Sequence, residues 1–122
     1  MIPIQIYRFL GRGKIVAKIL ALCLLALPKI AEASEAQLGY VRVISAGPNG
    51  IVFFTTDGPR TARPTCATLQ RWVIDVSSPG GQALMSQLLT AYTSQIKIRI
   101  DGKGVCDVWA DTESIKWLTM EQ

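Results

Sequence analysis

The stretch LQRWVIDVSSPGGQALMSQLLTAYT, residues 69–93, decides the fold class because its hydrophobic period changes half-way along. In residues 69–76 the side chains alternate between two faces, as they do in a β-strand. Ser78 and Pro79 then offer a capping side chain and a proline for the first helical position. An amphipathic stripe follows in residues 81–93, formed by Leu84, Met85, Leu88, Leu89 and Tyr92. The stretch predicts a strand followed at once by a helix with one core-facing side.

Strand patterns lie on both sides of this unit. Residues 39–45 and 51–56 are predicted strands, joined by a hairpin turn at Asn49-Gly50, and residues 57–65 form a loop. After the helix, residues 96–100 and 105–109 are predicted strands, with residues 114–120 completing or extending the last. The order is that of a mostly β domain with one helix, a five-stranded OB-like Greek-key barrel (β-β-β-α-β-β). An open α+β sheet covered by the helix is the alternative.

The first third of the chain has the three parts of a signal peptide. Basic residues without an acid precede an uncharged run, residues 19–27, and Ala31-Glu32-Ala33 forms a small-x-small cleavage signal before Ser34. The apolar run has about half the length that a helix needs to cross a bilayer. We therefore expect residues 1–33 to be a signal peptide and residues 34–122 to be a single exported domain, periplasmic or extracellular, without a permanent membrane anchor.

Charge is divided unevenly between these two segments. The whole chain has a net charge of +4, and residues 1–33 contribute five basic residues and one acid. Residues 34–122 therefore keep eight basic and eight acidic residues and are neutral. A nucleic-acid partner is not expected, because such proteins need clustered excess Lys and Arg on the folded domain.

Two cysteines remain after the signal segment, Cys66 and Cys106. In an exported chain two cysteines most simply form a disulfide with each other. A metal site is disfavoured, because the chain has no histidine and no C-x-x-C spacing. The missing histidine also removes the commonest general base. We predict a disulfide, no metal, no cofactor, no catalytic residue and no enzymatic activity.

Five residues are candidates for contact with a ligand or partner, and each has a plainer interpretation. Asp111 and Glu113 belong with Asp107 to the densest acidic cluster; the alternatives are a solvated turn or a metal or catalytic site. Trp109 is either a stacking platform or part of the core, whereas Trp72 and Trp117 are expected in the core. Arg60 and Arg63 either guide an acidic ligand or keep the surface soluble.

Several stretches of the mature segment resemble a group of short, exported, mostly uncharacterised bacterial proteins. They are RPTC at residues 63–66, RWVID at 71–75, PGGQA at 79–83 with LLTAY at 88–92, and GKGVC at 102–106 leading to WADTESI at 109–115. In this group glycine is more usual at the position of Ala110. By size, element order and disulfide, the layout is more distantly similar to the pentamer-forming B subunits of AB5 toxins, especially the subtilase-cytotoxin type. That resemblance implies an OB fold and glycan binding, but no sugar-contacting residue is matched here.

These observations lead to one expected function with an alternative from another class. The expected function is a secreted or periplasmic, non-catalytic binding module for a glycan or a protein, assembled as a homo-oligomer such as the pentamer that the resemblance implies. The alternative is a monomeric periplasmic inhibitor or accessory subunit of a partner enzyme, with residues 57–65 as its protruding loop.

Overall fold

The computed structural model describes residues 33–122, so the predicted signal peptide lies outside the described residues except for Ala33. These residues form seven β-strands and one long α-helix. The elements are β1 (Glu35–Gly39), β2 (Val41–Ala46), β3 (Ile51–Thr56), β4 (Arg60–Thr61), β5 (Trp72–Asp75), α1 (Pro79–Ser94), β6 (Lys97–Gly102) and β7 (Glu113–Glu121). The prediction of a mostly β domain with one helix is confirmed; the count of five strands differs.

The strands form one curled sheet in the order β2-β3-β5-β7-β6-β1-β4. All neighbours are antiparallel except β5 and β7, which run parallel. Because β1 and β2 are separated only by Tyr40, the same run of chain pairs with β6 through its first half and with β3 through its second. This continuity brings the two ends of the sheet towards each other.

The first predicted strand differs from the structure. Residues 39–45 were expected to be one strand, but β1 begins earlier and stops at Gly39, where its register with β6 shifts. Gly39 approaches the neighbouring loop so closely that a Cβ there would lie 2.2 Å from the backbone nitrogen of Gly58. A glycine is needed at this close approach, and the chain bends around it into β2.

The β2–β3 hairpin is confirmed. Its turn contains a short 3₁₀ segment, Pro48–Gly50, in which Asn49 and Gly50 have φ of 58° and 76°. The turn is closed by the Gly47 amide, which donates to the Ile51 carbonyl at 2.7 Å. Asn and Gly are the residues that tolerate this left-handed backbone best, which explains why this pair signals the turn.

The predicted helix is confirmed together with its cap. The Ser78 hydroxyl accepts a hydrogen bond from the Gly81 amide at 3.0 Å, and Pro79 occupies the start of the helix. The buried face is narrower than predicted: Gly81, Leu88 and Ala91 are buried, whereas Leu89 and Tyr92 are exposed. Leu88 and Ala91 pack into the core, and the absence of a side chain at Gly81 lets the start of the helix lie close to β5.

The disulfide is also confirmed, and it accounts for an error in the predicted strands. Cys66 and Cys106 are bonded, with their Cα atoms 6.2 Å apart and a sequence separation of 40. Residues 105–109 were predicted to be a strand, but they form turns that end in an isolated bridge between Trp109 and Thr112. The crosslink ties Cys106 to the loop before β5, and the Val105 carbonyl accepts the Ser114 amide of β7 at 3.1 Å without extending into a strand.

The core lies between the concave face of the sheet and α1. It consists of Ala36, Val41, Phe54, Trp72, Ile74, Leu88, Ala91, Ile98, Ile100, Ile115 and Leu118. The predicted core position of Trp72 is confirmed, whereas that of Trp117 is wrong, because 61% of Trp117 is exposed.

Candidate functional site

An irregularity in β7 turns Trp117 out of the core. In the ladder between β6 and β7, Asp101 pairs with Trp117 and Gly102 pairs with Ile115, so Lys116 has no opposite residue. This β-bulge breaks the alternation of faces, and Lys116 and Trp117 are consecutively exposed. Bulges often redirect side chains next to functional sites.

Trp117 lines a groove of about 530 Å³ between α1 and strands β5 and β7. The parallel pairing of β5 with β7 covers only two residue pairs, Trp72 with Glu113 and Val73 with Ser114. Beyond these pairs, Ile74 and Asp75 of β5 and residues 115–118 of β7 line the groove. The groove therefore forms where two strands stop pairing and the helix begins to cover them.

The start of α1 approaches β5 very closely at one end of this groove. A Cβ at Gly81 would lie 1.7 Å from the Asp75 carbonyl oxygen, whereas one at Gly80 would meet nothing within 4 Å. Of these two glycines, only Gly81 makes a close packing contact with the sheet. The helix can only rest on the sheet here because Gly81 has no side chain.

The groove combines apolar walls with a few polar groups. The polar side chains are Asp75, Ser78, Gln87, Lys103, Ser114 and Lys116, and the apolar walls include Leu84, Ile115 and Trp117. Hydrogen bonds from Ser77 lower the pKa of Asp75, and the charge of Lys103 lowers it further. Asp75 is thus a carboxylate acceptor at neutral pH, next to ammonium and amide donors.

Trp109 and Asp111 share a second, separate surface. The Trp109 ring meets Phe53 edge to face, with centroids 5.1 Å apart. The Arg71 guanidinium lies over the same Phe53 ring, 3.9 Å from its centroid. It also donates a hydrogen bond to the Asp111 carboxylate at 3.2 Å. The pKa of Asp111 is lowered by a hydrogen bond from Thr112 and by Arg71. The two predicted contact residues are therefore joined through Arg71 and Phe53.

Glu113 and Arg60 are brought together in the interior. Glu113 is fully buried, and Arg60, with 7% of its side chain exposed, donates to it at 2.6 Å. The Arg60 guanidinium also stacks 3.7 Å from the Trp72 ring. Burial lowers the pKa of Arg60, and Glu113 opposes that shift. The interpretation of Glu113 as part of a solvated turn is wrong because it is fully buried, and a ligand contact by Glu113 or Arg60 stays a prediction.

Arg63 is the remaining predicted contact residue. It is exposed, and its positive charge is close enough to Arg60 to contribute to the lowering of the pKa of Arg60. It lies beside Ala62, whose φ is 31°. A ligand contact by Arg63, Trp109 or Asp111 stays a prediction.

Sequence reasoning missed the groove and its polar residues. The only signal for it was the apolar-polar pattern of residues 114–120, which a strict alternation assigns to a half-buried strand. Since a bulge inserts one residue into that pattern, Lys116, Trp117 and the distant Gln87 could not be grouped without the register of β7.

Comparison of the chain with protein-family models, with curated protein sequences and with solved structures gives no match. The resemblance to exported bacterial proteins and toxin B subunits therefore stays a prediction. Within residues 33–122, no helix is long and apolar enough to cross a membrane. The same residues contain no group of three or more His, Cys, Asp or Glu side chains that could hold a metal ion.

Proposed function

We propose that the chain is exported, processed near Ser34, and acts as a non-catalytic glycan-binding module whose site is the groove beside Trp117. The single observation that carries this proposal is the outward position of Trp117, 61% exposed, on the wall of a groove of about 530 Å³. An aromatic side chain on the wall of a concave, mostly apolar groove with a few polar groups is typical of ligand-binding sites.

The arrangement around Trp117 suits a sugar. A sugar ring presents apolar C–H faces and a rim of hydroxyl groups, so it needs a flat aromatic surface together with several donors and acceptors. Trp117 offers the surface, Gln87 an amide with both functions, and Asp75 an acceptor. Lys103 is paired with Asp107 at 3.6 Å, whereas Lys116 has no ion-pair partner among residues 33–122, so Lys116 is the charge that favours a sugar carrying a carboxylate.

The strand order supports an OB-type topology for the module. When β1 and β2 are counted as one bent strand and the short β4 is set aside, five strands remain, with the helix between the third and the fourth. The first strand then pairs with both the second and the fourth, and the third runs parallel to the fifth. OB-type barrels bind oligosaccharides and oligonucleotides on their strand faces and loops.

Export is supported by the order of the features in residues 1–33 and by the Cys66–Cys106 disulfide. Disulfides persist in oxidising compartments and are rare in the reducing cytosol. A crosslink that closes a loop of this length stabilises a small domain by about 4 kcal/mol in the chain-entropy model.

The absence of catalysis in the proposal is supported by the ionisation of four aspartates. The pKa values of Asp57, Asp75, Asp107 and Asp111 are all lowered by hydrogen bonds and neighbouring cations. Groups that remain ionised at neutral pH do not serve as the proton donors that glycosidic hydrolysis requires.

A glycan array probed with the oxidised mature protein tests the proposal. We expect binding to a defined set of glycans, with preference for acidic ones, and a loss of about tenfold or more in affinity for Trp117→Ala. Tyr92→Ala is the matched control, because Tyr92 is a similarly exposed aromatic residue on α1 that does not line the groove. Both variants should keep the wild-type melting temperature.

Native mass spectrometry of the same protein gives its assembly state. A closed homo-oligomer, above all a pentamer, would support a multivalent glycan-binding subunit. A monomer that binds no glycan and captures one exported enzyme would contradict the proposal and favour the inhibitor. That alternative receives less support from the loop it requires, because Arg60 of β4 anchors residues 57–65 to the interior.

A further inference from the structure

The carboxylate of Glu113 is enclosed by four donor groups from three parts of the chain. Oε1 accepts the backbone amides of Ser34 at 3.1 Å and Gly104 at 2.8 Å. Oε2 accepts the Ser34 hydroxyl and the Arg60 guanidinium. A Cβ at Gly102 would lie 2.1 Å from Oε1, so only glycine leaves room for the carboxylate. An ionised carboxylate has about four acceptor positions, and here all of them are used.

Two of these four donors belong to Ser34. Ser34 is also the residue at which the chain changes from exposed to buried. Ser34 is fully buried and Ala33 is exposed. The Ser34 carbonyl accepts the Gly102 amide at 2.7 Å, and its hydroxyl also receives the Arg60 Nε at 3.0 Å. The boundary therefore falls on the Ala33–Ser34 bond, which directly follows the small-x-small signal Ala31-Glu32-Ala33.

We propose that Ala33–Ser34 is the processing site and that Glu113 binds the α-ammonium that processing creates on Ser34. This inference rests on the export and processing included in the proposed function. In the reaction, a peptidase directs water to the Ala33 carbonyl carbon and the C–N bond breaks. Ala33 leaves with a carboxylate, and the Ser34 nitrogen takes up protons to become an ammonium.

The same contacts disfavour a cut on either side of the Ala33–Ser34 bond. A cut beyond Ser34 would remove two of the four donors of Glu113 and leave a buried carboxylate short of partners, which is strongly destabilising. A cut before Ala33 would leave an uncharged amide at the position that faces Oε1. A cut at Ala33–Ser34 keeps every hydrogen bond and converts one of them into a charge-assisted bond, which is the stronger kind.

The charges that face Ser34 are known for each packed element. Glu113 comes from β7 and Arg60 from β4, and both bond to Ser34. Glu35 of β1, the residue after Ser34, lies opposite Asp101 in the ladder between β1 and β6. Lys103 forms an ion pair with Asp107. The negative charge of Glu113 therefore favours an ammonium on Ser34, and the positive charge of Arg60 disfavours it. Glu113 contacts the Ser34 nitrogen itself, whereas Arg60 contacts the Ser34 hydroxyl.

The test compares two mature proteins that differ by one residue. The exported product of the full chain, whose amino terminus is sequenced first, is compared with a protein beginning at Ala33, released from a cleavable fusion after oxidative folding. At pH 6 we expect the protein beginning at Ser34 to have an unfolding constant about tenfold smaller, since charged hydrogen bonds are worth more than neutral ones.

The pH dependence distinguishes charge from packing. Because Glu113 accepts directly from the Ser34 nitrogen, we expect it to raise the pKa of the new amine above the usual value of about 8 by more than burial and Arg60 lower it, so the contribution of the ammonium is complete below that pH. It is lost as pH rises through the folded-state pKa, and the two proteins should become equally stable near pH 11. A difference that stays constant with pH, or no difference at all, would overturn the proposal.

A second measurement needs no comparison of stability. At pH 7 an amine-selective reagent should modify the Ser34 amine at least about tenfold more slowly than the Ala33 amine of the longer protein, because Glu113 holds it as an ammonium. Equal rates would overturn the proposal. An exported protein that still begins at Met1 would overturn both this inference and the processing it rests on, whereas the glycan array bears on neither.

Discussion

Two arginine–carboxylate pairs, formed by the same short segment before and at the start of β7, differ mainly in burial. Arg71 pairs with Asp111 at 3.2 Å, with side chains 29% and 42% exposed, whereas Arg60 pairs with Glu113 at 2.6 Å, with 7% and 0% exposed. Each guanidinium also lies over an aromatic ring, Phe53 for Arg71 and Trp72 for Arg60. The two pairs therefore consist of the same chemical groups, but only the pair of Arg60 and Glu113 is buried.

Burial determines whether an ion pair mainly stabilises the fold or remains accessible to a ligand. An exposed pair is weakened by water and salt, so it contributes little to stability and remains accessible to a ligand. A buried pair is costly to assemble but still more costly to break, because the remaining charge has no water. We therefore assign Glu113 and Arg60 to the folding of the domain and leave Asp111 and Arg71 on the accessible surface.

The largest expected effect is that of Glu113→Gln. Removing the charge leaves Arg60 buried without its counter-ion, and we expect a loss of about 3–5 kcal/mol in the free energy of unfolding. Asp111→Asn is the matched control and should cost a small fraction of that. Denaturant unfolding of the oxidised proteins measures both, and equal losses in the two variants would break the comparison.

A smaller effect is expected when each arginine is replaced by lysine. Arg60 donates to three acceptors, Glu113, Ser34 and the Arg71 carbonyl, which a single ammonium on a flexible stem cannot satisfy together. We expect Arg60→Lys to lose about 2–3 kcal/mol of stability, since buried acceptors are left without donors. Arg71→Lys should change the unfolding midpoint far less; a loss as large as that of Arg60→Lys would show that exposure does not govern these sites.

The smallest effect is a change in acid sensitivity. Thr112 and Arg71 hold the pKa of Asp111 below its usual value of about 4. The resulting stability is present above pH 4 and is lost as pH falls through the lower pKa of the folded state. Asp111→Asn should therefore lose less stability than the wild type between pH 6 and pH 2.5. Thermal unfolding across this range checks it, and an unchanged acid profile would contradict the assigned pair.

Local patterns predicted much of the fold. Ser78, Pro79 and the change of period specified the helix, and Asn49-Gly50 specified the hairpin, because each depends on residues close in sequence. The division of the first strand at Tyr40 and the turns around Cys106 depend on contacts with Gly58 and Cys66, which are distant in sequence. Those features could not be read from periodicity.

The candidate site was less predictable than the fold. Trp117 was expected in the core because a tryptophan in a small barrel is usually buried, and the unpaired Lys116 in the β6–β7 ladder places it outside instead. Glu113 was grouped with surface acids because its sequence neighbours are polar. Its burial follows from Gly102, which leaves space, and from Arg60, which arrives from another strand.

The most direct test of the proposed function is an NMR titration of the oxidised mature protein with an acidic glycan identified on the array. If the glycan binds in the Trp117 groove, the indole Nε1–H signal of Trp117 and the side-chain amide signals of Gln87 shift with ligand concentration. The indole signal of Trp109, which lies on the other surface, stays in place. Shifts confined to Trp109 and Arg71, or no shift in any of these signals, would contradict the assignment of the site to the Trp117 groove.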